Sequence, residues 1–176
     1  ATEKYMNQLE NKDSQLLPPQ ETALDIFDFS FIRSAPVTEK SQPLENVIKV
    51  YHGEWSMERA PAVAIDVENK EIYIEPRMAN RGVRAHGGTK VIEDAEKVIQ
   101  ILEKYDIQNW QHYYSNVKDT TSYEDGASWS LWLQYDDGSV EIFRGEGTFW
   151  KDITPDNYQS FVNELTEFVE ERIDHD

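Results

Sequence analysis

The chain predicts an α+β fold, an antiparallel sheet of five to seven strands with two helices packed on one face. Three observations carry that expectation. A β-hairpin, a polar loop and an amphipathic helix follow one another twice, over residues 62–105 and again over 128–173. Two further segments, Ile26–Ile32 and Val47–Trp55, read as strands outside those units. Hydrophobic residues make up 39% of the 176, and 12% are aromatic, which suits one well-buried core rather than two. The expected organisation is a single domain over 25–176 behind a flexible segment, 1–24. The repeated pattern fits either duplication of one unit or convergence on a common supersecondary motif.

Taken in order, Ala1–Leu24 is polar and reaches Leu16-Leu17-Pro18-Pro19-Gln20, where consecutive prolines stop regular structure. It reads as a tether, with a short helix over Glu3–Asn11 as the alternative. Phe27, Phe29 and Phe31 recur at period two, the spacing of a half-buried strand. Arg33–Pro43 is a loop, and Val47–Trp55 is a strand in which Gly53 is a candidate bulge. Ala62–Val67 and Glu71–Glu75 form a hairpin turning at Glu68-Asn69-Lys70. Val91, Ile92, Ala95, Val98, Ile99 and Leu102 then share one face of a helix expected over Thr89–Tyr105. Ile107–Val117, with Trp110, Tyr113 and Tyr114, is a strand or an aromatic wall, and Lys118–Gly126 a loop.

The second hairpin joins Trp129–Tyr135 to Ser139–Phe143 through Asp136-Asp137-Gly138. Trp129, Leu131, Leu133 and Tyr135 share one face, and Trp132 with Phe143 is assigned to the other. Apolar groups on both faces place this hairpin centrally in the sheet or give it an exposed aromatic patch. The last helix starts with Thr154 as N-cap, Pro155 at the first helical position and Asp156 complementing the helix dipole. Tyr158, Phe161, Val162, Leu165, Phe168 and Val169 form its buried stripe, while Glu164, Glu167, Glu170 and Glu171 face water. One core should unite Val63, Ile65, Val98, Leu102, Leu131, Leu133, Phe161 and Leu165.

Charge narrows the partners. The 34 Asp and Glu outnumber the 17 Lys and Arg, for a formal charge of -17. Nucleic acid and anionic membrane bind basic footprints, so both are expected to be poor partners, and no apolar run approaches the roughly 20 residues of a membrane span, so direct insertion is not expected either. The acidity is either plain solvation or a face that docks a basic protein. With no cysteine, disulfides, thiolate metal sites and a cysteine nucleophile are ruled out. The four histidines, at 52, 86, 112 and 175, lack metal-site spacing, and no metal or cofactor is expected.

The candidate site is local. None of the 34 acids falls between Pro76 and Ile92, where Arg77, Arg81, Arg84, His86 and Lys90 gather around Gly82, Gly87 and Gly88. Glycines ahead of a helix, with arginines near, suit an anion such as phosphate, sulfate or a carboxylate. Arg77, Arg81, Arg84, His86, Gly87 and Gly88 are therefore the expected ligand-binding residues, with a flexible, charge-balancing loop as the alternative. Arg144–Trp150 holds the corresponding place in the second unit, and the two segments together would make one recognition edge; the stronger alternative is a plain turn permitted by Gly145 and Gly147, with Phe149 and Trp150 packing over the helix end. A hydrolase built from His52, Glu54 and Asp66 has no supporting nucleophile, paired-carboxylate or metalloprotease motif.

Asp125-Gly126-Ala127-Ser128-Trp129-Ser130-Leu131, then Tyr135-Asp136-Asp137-Gly138, then Pro155-Asp156-Asn157-Tyr158 follow one another along residues 125–173. This order resembles uncharacterised Gram-positive bacterial domains, in which a Trp-containing strand, an Asp-Gly turn and a Pro-started terminal helix succeed each other. Such domains carry a Gly-Ser-Asn-like loop where this chain has Gly145-Glu146-Gly147-Thr148. The resemblance implies a fold more than an activity. The expected function is non-catalytic binding of a protein or small anionic ligand at 77–90. An acidic inhibitor or immunity-type protein covering a basic enzyme comes second, and a small hydrolase third.

Overall fold

The computed structural model describes residues 36–79, 82–85, 87–116 and 126–174. The expected tether and the Phe27-Phe29-Phe31 strand lie outside these. In chain order the strands are β1 (Val47–Trp55), β2 (Ala62–Asp66), β3 (Glu71–Tyr73), β4 (Pro76–Ala79), β5 (Gly82–Ala85) and β6 (Thr89–Val91). Helix α1 (Lys97–Lys104) follows, then β7 (Tyr113–Ser115), β8 (Ala127–Tyr135), β9 (Val140–Gly147) and α2 (Tyr158–Asp174). Seven strands form one sheet in the order β6-β3-β2-β1-β8-β9-β7, and β4 pairs with β5 as a separate ribbon.

The architecture is α+β, but the sheet is mixed rather than antiparallel, because β7 runs parallel to β9. A hairpin forces antiparallel neighbours, and β7 is not in one: it precedes β8 in the chain yet lies outside β9. The two hairpins flank β1, with β2 and β8 both antiparallel to it. Arg144–Gly147, expected as a loop matching 77–90, is instead the end of β9. Because β2, β1 and β8 stand between β3 and β9, the two segments form no shared edge.

Both helices cover one face. Val50, Val63, Ile65, Ile72, Leu131, Leu133 and Phe143 meet Val98, Leu102, Phe161 and Leu165 in one buried cluster, so the eight residues expected to share a core do so. Phe143 belongs to this side: it is the cross-strand partner of Leu131, and directly paired residues point the same way. A smaller cluster of Tyr51, Ala64 and Val140, with Trp132 and Ile142 against it, lies on the opposite face.

Element ends shift where local spacing was ambiguous. The first helix begins at Lys97, and Thr89–Val91 is an edge strand whose Val91 is exposed. Helix α2 begins at Tyr158, not Pro155. The Thr154 hydroxyl donates back to the Trp150 carbonyl at 3.0 Å instead of capping it. Asn157, just before the helix, uses its amide elsewhere, accepting from Trp110 Nε1 at 2.9 Å and donating to the Tyr105 carbonyl at 2.8 Å. Gly53 forms no bulge, since it pairs in register with Ala62 and Ser130; the irregularity in β1 lies between Val47 and Lys49.

Candidate functional site

Of the 77–90 segment, the described residues form the paired strands β4 and β5 and the edge strand β6, not a loop entering a helix. Gly87 N–H donates to the Ile74 carbonyl at 3.1 Å and Ile74 N–H to the Gly88 carbonyl at 2.9 Å, so two glycines oppose one residue in a bulge. Glycine is required at both places: a Cβ on Gly87 would lie 2.6 Å from Ile74 Cγ2, and Gly88 has φ +80°. These glycines bend the ribbon, and β6 separates them from α1, so the helix dipole that motivated an anion site is displaced. Arg77 and Arg84 are cross-strand Cα partners. Arg81 and His86 lie outside the described residues.

A more developed site lies on the sheet face opposite the helices. Register places its residues in rows. Tyr51, Trp132 and Ile142 face one another across β1, β8 and β9, as do Gly53, Ser130 and Arg144, then Trp55, Ser128 and Glu146. These rows line a groove of about 610 Å³, walled along the outer edge of β9 by Val37 and Tyr113. Such a volume falls in the roughly 300–1,000 Å³ range of ligand pockets. Three of the exposed large hydrophobic residues border it: Val37 at 61%, Trp55 at 50% and Tyr113 at 44%.

Each lining group is held from beside or below. The Tyr51 ring lies along β1 over Gly53, where a Cβ would come within 2.1 Å of its hydroxyl oxygen, so glycine there flattens the floor. Trp132 Nε1 donates to Ser130 Oγ at 3.1 Å, fixing the indole plane. The Arg144 guanidinium sits 4.8 Å from the centre of the Tyr113 ring, and the Tyr113 hydroxyl donates to Glu146. That contact to Glu146 pushes the Tyr113 hydroxyl above its usual range. The groove thus offers aromatic faces, a donor-only cation, acceptor-only carboxylates at Glu39, Glu54 and Glu146, and two serine hydroxyls.

The walls are anchored through a buried carboxylate. Glu141, fully buried on the helix side of β9, accepts from Ser41 Oγ at 2.8 Å, His112 Nε2 at 2.8 Å and the Tyr135 hydroxyl. Ser41 belongs to the segment carrying Val37, which bridges Val140, and His112 directly precedes Tyr113. One carboxylate therefore ties both segments to β9, along the edge away from β8. Burial, then the Glu141 carboxylate, hold the Tyr135 hydroxyl well above its ordinary pKa.

The residues considered for hydrolysis are not assembled. Tyr158 hydroxyl donates to Glu54 Oε2 at 2.6 Å, so its oxygen accepts from His52 Nε2 at 2.8 Å; the network assigns the imidazole proton to Nε2. Burial lowers the His52 pKa to about 3, leaving the ring neutral. Asp66 points to the other face of the sheet, where it accepts from Asn69 N–H and Nδ2, both at 2.9 Å. Among the described residues no group of three or more His, Asp or Glu is placed to hold a metal ion. None of the described helices is long and apolar enough to cross a membrane.

Sequence reasoning missed the groove because its rows exist only once strand register is known. The one local signal was Trp132, an aromatic on the face opposite Leu131 and Leu133. No family model matches this chain, and comparison with the curated proteins and with the solved structures returned no match for it.

Proposed function

We propose that this chain is a binding protein, not an enzyme, and that its ligand lies in the aromatic groove of the helix-free sheet face. The observation that carries this reading is the register of β1, β8 and β9, which lines Tyr51, Trp132 and Ile142 into a floor beside Arg144 and Glu146. Three strands fix those positions, so little ordering entropy is lost when a ligand arrives. The non-catalytic half is supported by His52 and Glu54 being tied to Tyr158, with Asp66 on the other face. A screen of small aromatic, hydroxylated and cationic fragments, read by amide chemical shifts, tests the site. Shifts clustered at 51–55, 128–132 and 142–146 are expected, and a screen whose hits all map elsewhere refutes it. Phosphate and sulfate in the same screen test the anion contact at 77–90, for which the cross-strand pairing of Arg77 with Arg84 is the support.

A second reading is favoured by one surface. Glu167, Glu170 and Glu171 are exposed together on α2, in a chain of net charge -17, which suits an inhibitor that covers a basic enzyme. Salt-sensitive capture of a basic partner, abolished by replacing those three glutamates with glutamine and untouched by changes in the groove, would favour that reading over the first.

A further inference from the structure

We infer that the groove takes a neutral oligosaccharide, its pyranose rings stacked on Trp55 and Trp132 and its hydroxyls bonded by Arg144, Glu146, Ser128 and Ser130. The inference rests on the groove being the binding site, and it specifies the ligand from the lining alone. A pyranose has two kinds of surface: C–H faces that pack on aromatic rings, and a rim of hydroxyls that both donate and accept. The groove presents both in the same order. Trp55 and Trp132 stand on β1 and β8 on the same face, and Ser128, Ser130, Arg144 and Glu146 occupy positions paired with or beside them.

Other ligand classes fit less well. The groove is lined by Arg144 and by the carboxylates of Glu39, Glu54 and Glu146, with Glu54 already held by the Tyr158 hydroxyl, so the lining disfavours an anion, while Arg144 beside Glu146 stands against a cation. Arg144 is further engaged over Tyr113, and Glu146 accepts from the Tyr113 hydroxyl. A purely apolar ligand would leave these groups and both serine hydroxyls without compensation for lost water, a cost that disfavours it. A ligand dense in hydroxyls replaces that water group for group. Trp55 is half exposed, so its ring face is available while the strand beneath holds it in place.

The test uses the full chain with three probes: cellotetraose, chitotetraose and maltotetraose, each titrated at millimolar concentration and followed by amide shifts and calorimetry. At least one is expected to shift residues 51–55, 128–132 and 142–146, with binding weakened tenfold or more by Trp55→Ala and by Arg144→Ala. Both changed residues are at the surface, and circular dichroism checks that each variant stays folded. Tetralysine and a neutral tetra-alanine peptide run beside the sugars. If a peptide or a fragment shifts the groove and no sugar does, the saccharide inference is overturned while the groove remains the site. If no sugar, peptide or fragment shifts it, both readings fall together. Sugar binding that survives both substitutions, or that maps elsewhere, also overturns the inference.

Discussion

Replacing Gly145 by alanine should destabilise the protein through a single buried contact. Gly145 is in β9 on the helix side, paired with Trp129, and its backbone needs no left-handed conformation. A Cβ there would stand 2.2 Å from the Ile153 carbonyl oxygen and 2.4 Å from Trp129 Nε1. Those two atoms are hydrogen-bonded to each other at 2.7 Å in a buried setting. The methyl group would therefore be driven into the bond from the side, and one of its neighbours is backbone that cannot swing away. Overpacking costs about 1–3 kcal/mol. Losing the bond and leaving a buried indole N–H or carbonyl unpaired costs about 1–3 kcal/mol more. The smaller entropy of an alanine-containing unfolded chain offsets about 0.4–1 kcal/mol. A net loss of about 2–4 kcal/mol follows from those three terms. Urea unfolding followed by far-ultraviolet circular dichroism measures it. In a Trp129→Phe background, where the indole nitrogen is gone, the same change should cost less but not nothing, because the Ile153 carbonyl remains; that coupling is the signature of the contact. A Gly145→Ala protein within about 0.5 kcal/mol of the parent would refute the reasoning, since surface-like changes fall in that band.

Two other outcomes are expected. Acid should weaken the fold through His52: its folded pKa, about 3, is below the 6.5 of the unfolded ring, so the unfolded chain binds the extra proton between those values. Its contribution is fully present above pH 6.5 and is lost on acidification toward pH 3, at up to about 1.4 kcal/mol per pH unit. His52→Gln, which keeps a donor to Tyr158, should flatten that part of the stability profile, and an imidazole carbon signal that titrates near its ordinary pH in the folded protein would contradict it. Phe161→Ala should cost about 3–5 kcal/mol by chemical denaturation, because this fully buried ring packs edge-on against Trp110 at 5.4 Å and Tyr105 at 5.9 Å. A loss under about 1 kcal/mol would mean that the site relaxes around the cavity.

Where local pattern decides, the sequence was legible. Alternation bounded β1 at Val47 and Trp55, and the helical stripe of Phe161 and Leu165 lies in the core with Leu131 and Leu133. Where two patterns overlap, or a choice is made at long range, it was not. Val91, Ile92 and Ala95 fit helical spacing, yet β3 pairs with Thr89–Val91 and takes Val91 into an edge strand, while Ile92 and Ala95 reach the core ahead of the helix. The face of Phe143 depends on the length of the connection from Tyr135 to Val140, because one residue more or fewer across a turn reverses every side chain beyond it. The parallel placement of β7 is a tertiary choice with no local signature. For the same reason the 77–90 segment drew attention by its missing acids, while the groove, made of residues as distant as Tyr51 and Ile142, did not.

The two faces of the sheet carry different polar arrangements. On the helix side, polar groups are closed upon each other: Glu141 is met by three donors, and His52, Tyr158 and Glu54 form a chain in which each hydroxyl or ring proton is already used. Networks of that kind rigidify a core. On the groove side, Arg144 and Glu146 are held at one point, the Tyr113 ring and its hydroxyl, and remain at the surface. The buried network fixes the β9-side wall, so the position of Glu141 beneath β9 is part of the groove's construction although Glu141 does not line it. The candidate groove thus owes its shape to strand register and the anchoring of its β9-side wall to a carboxylate on the far face.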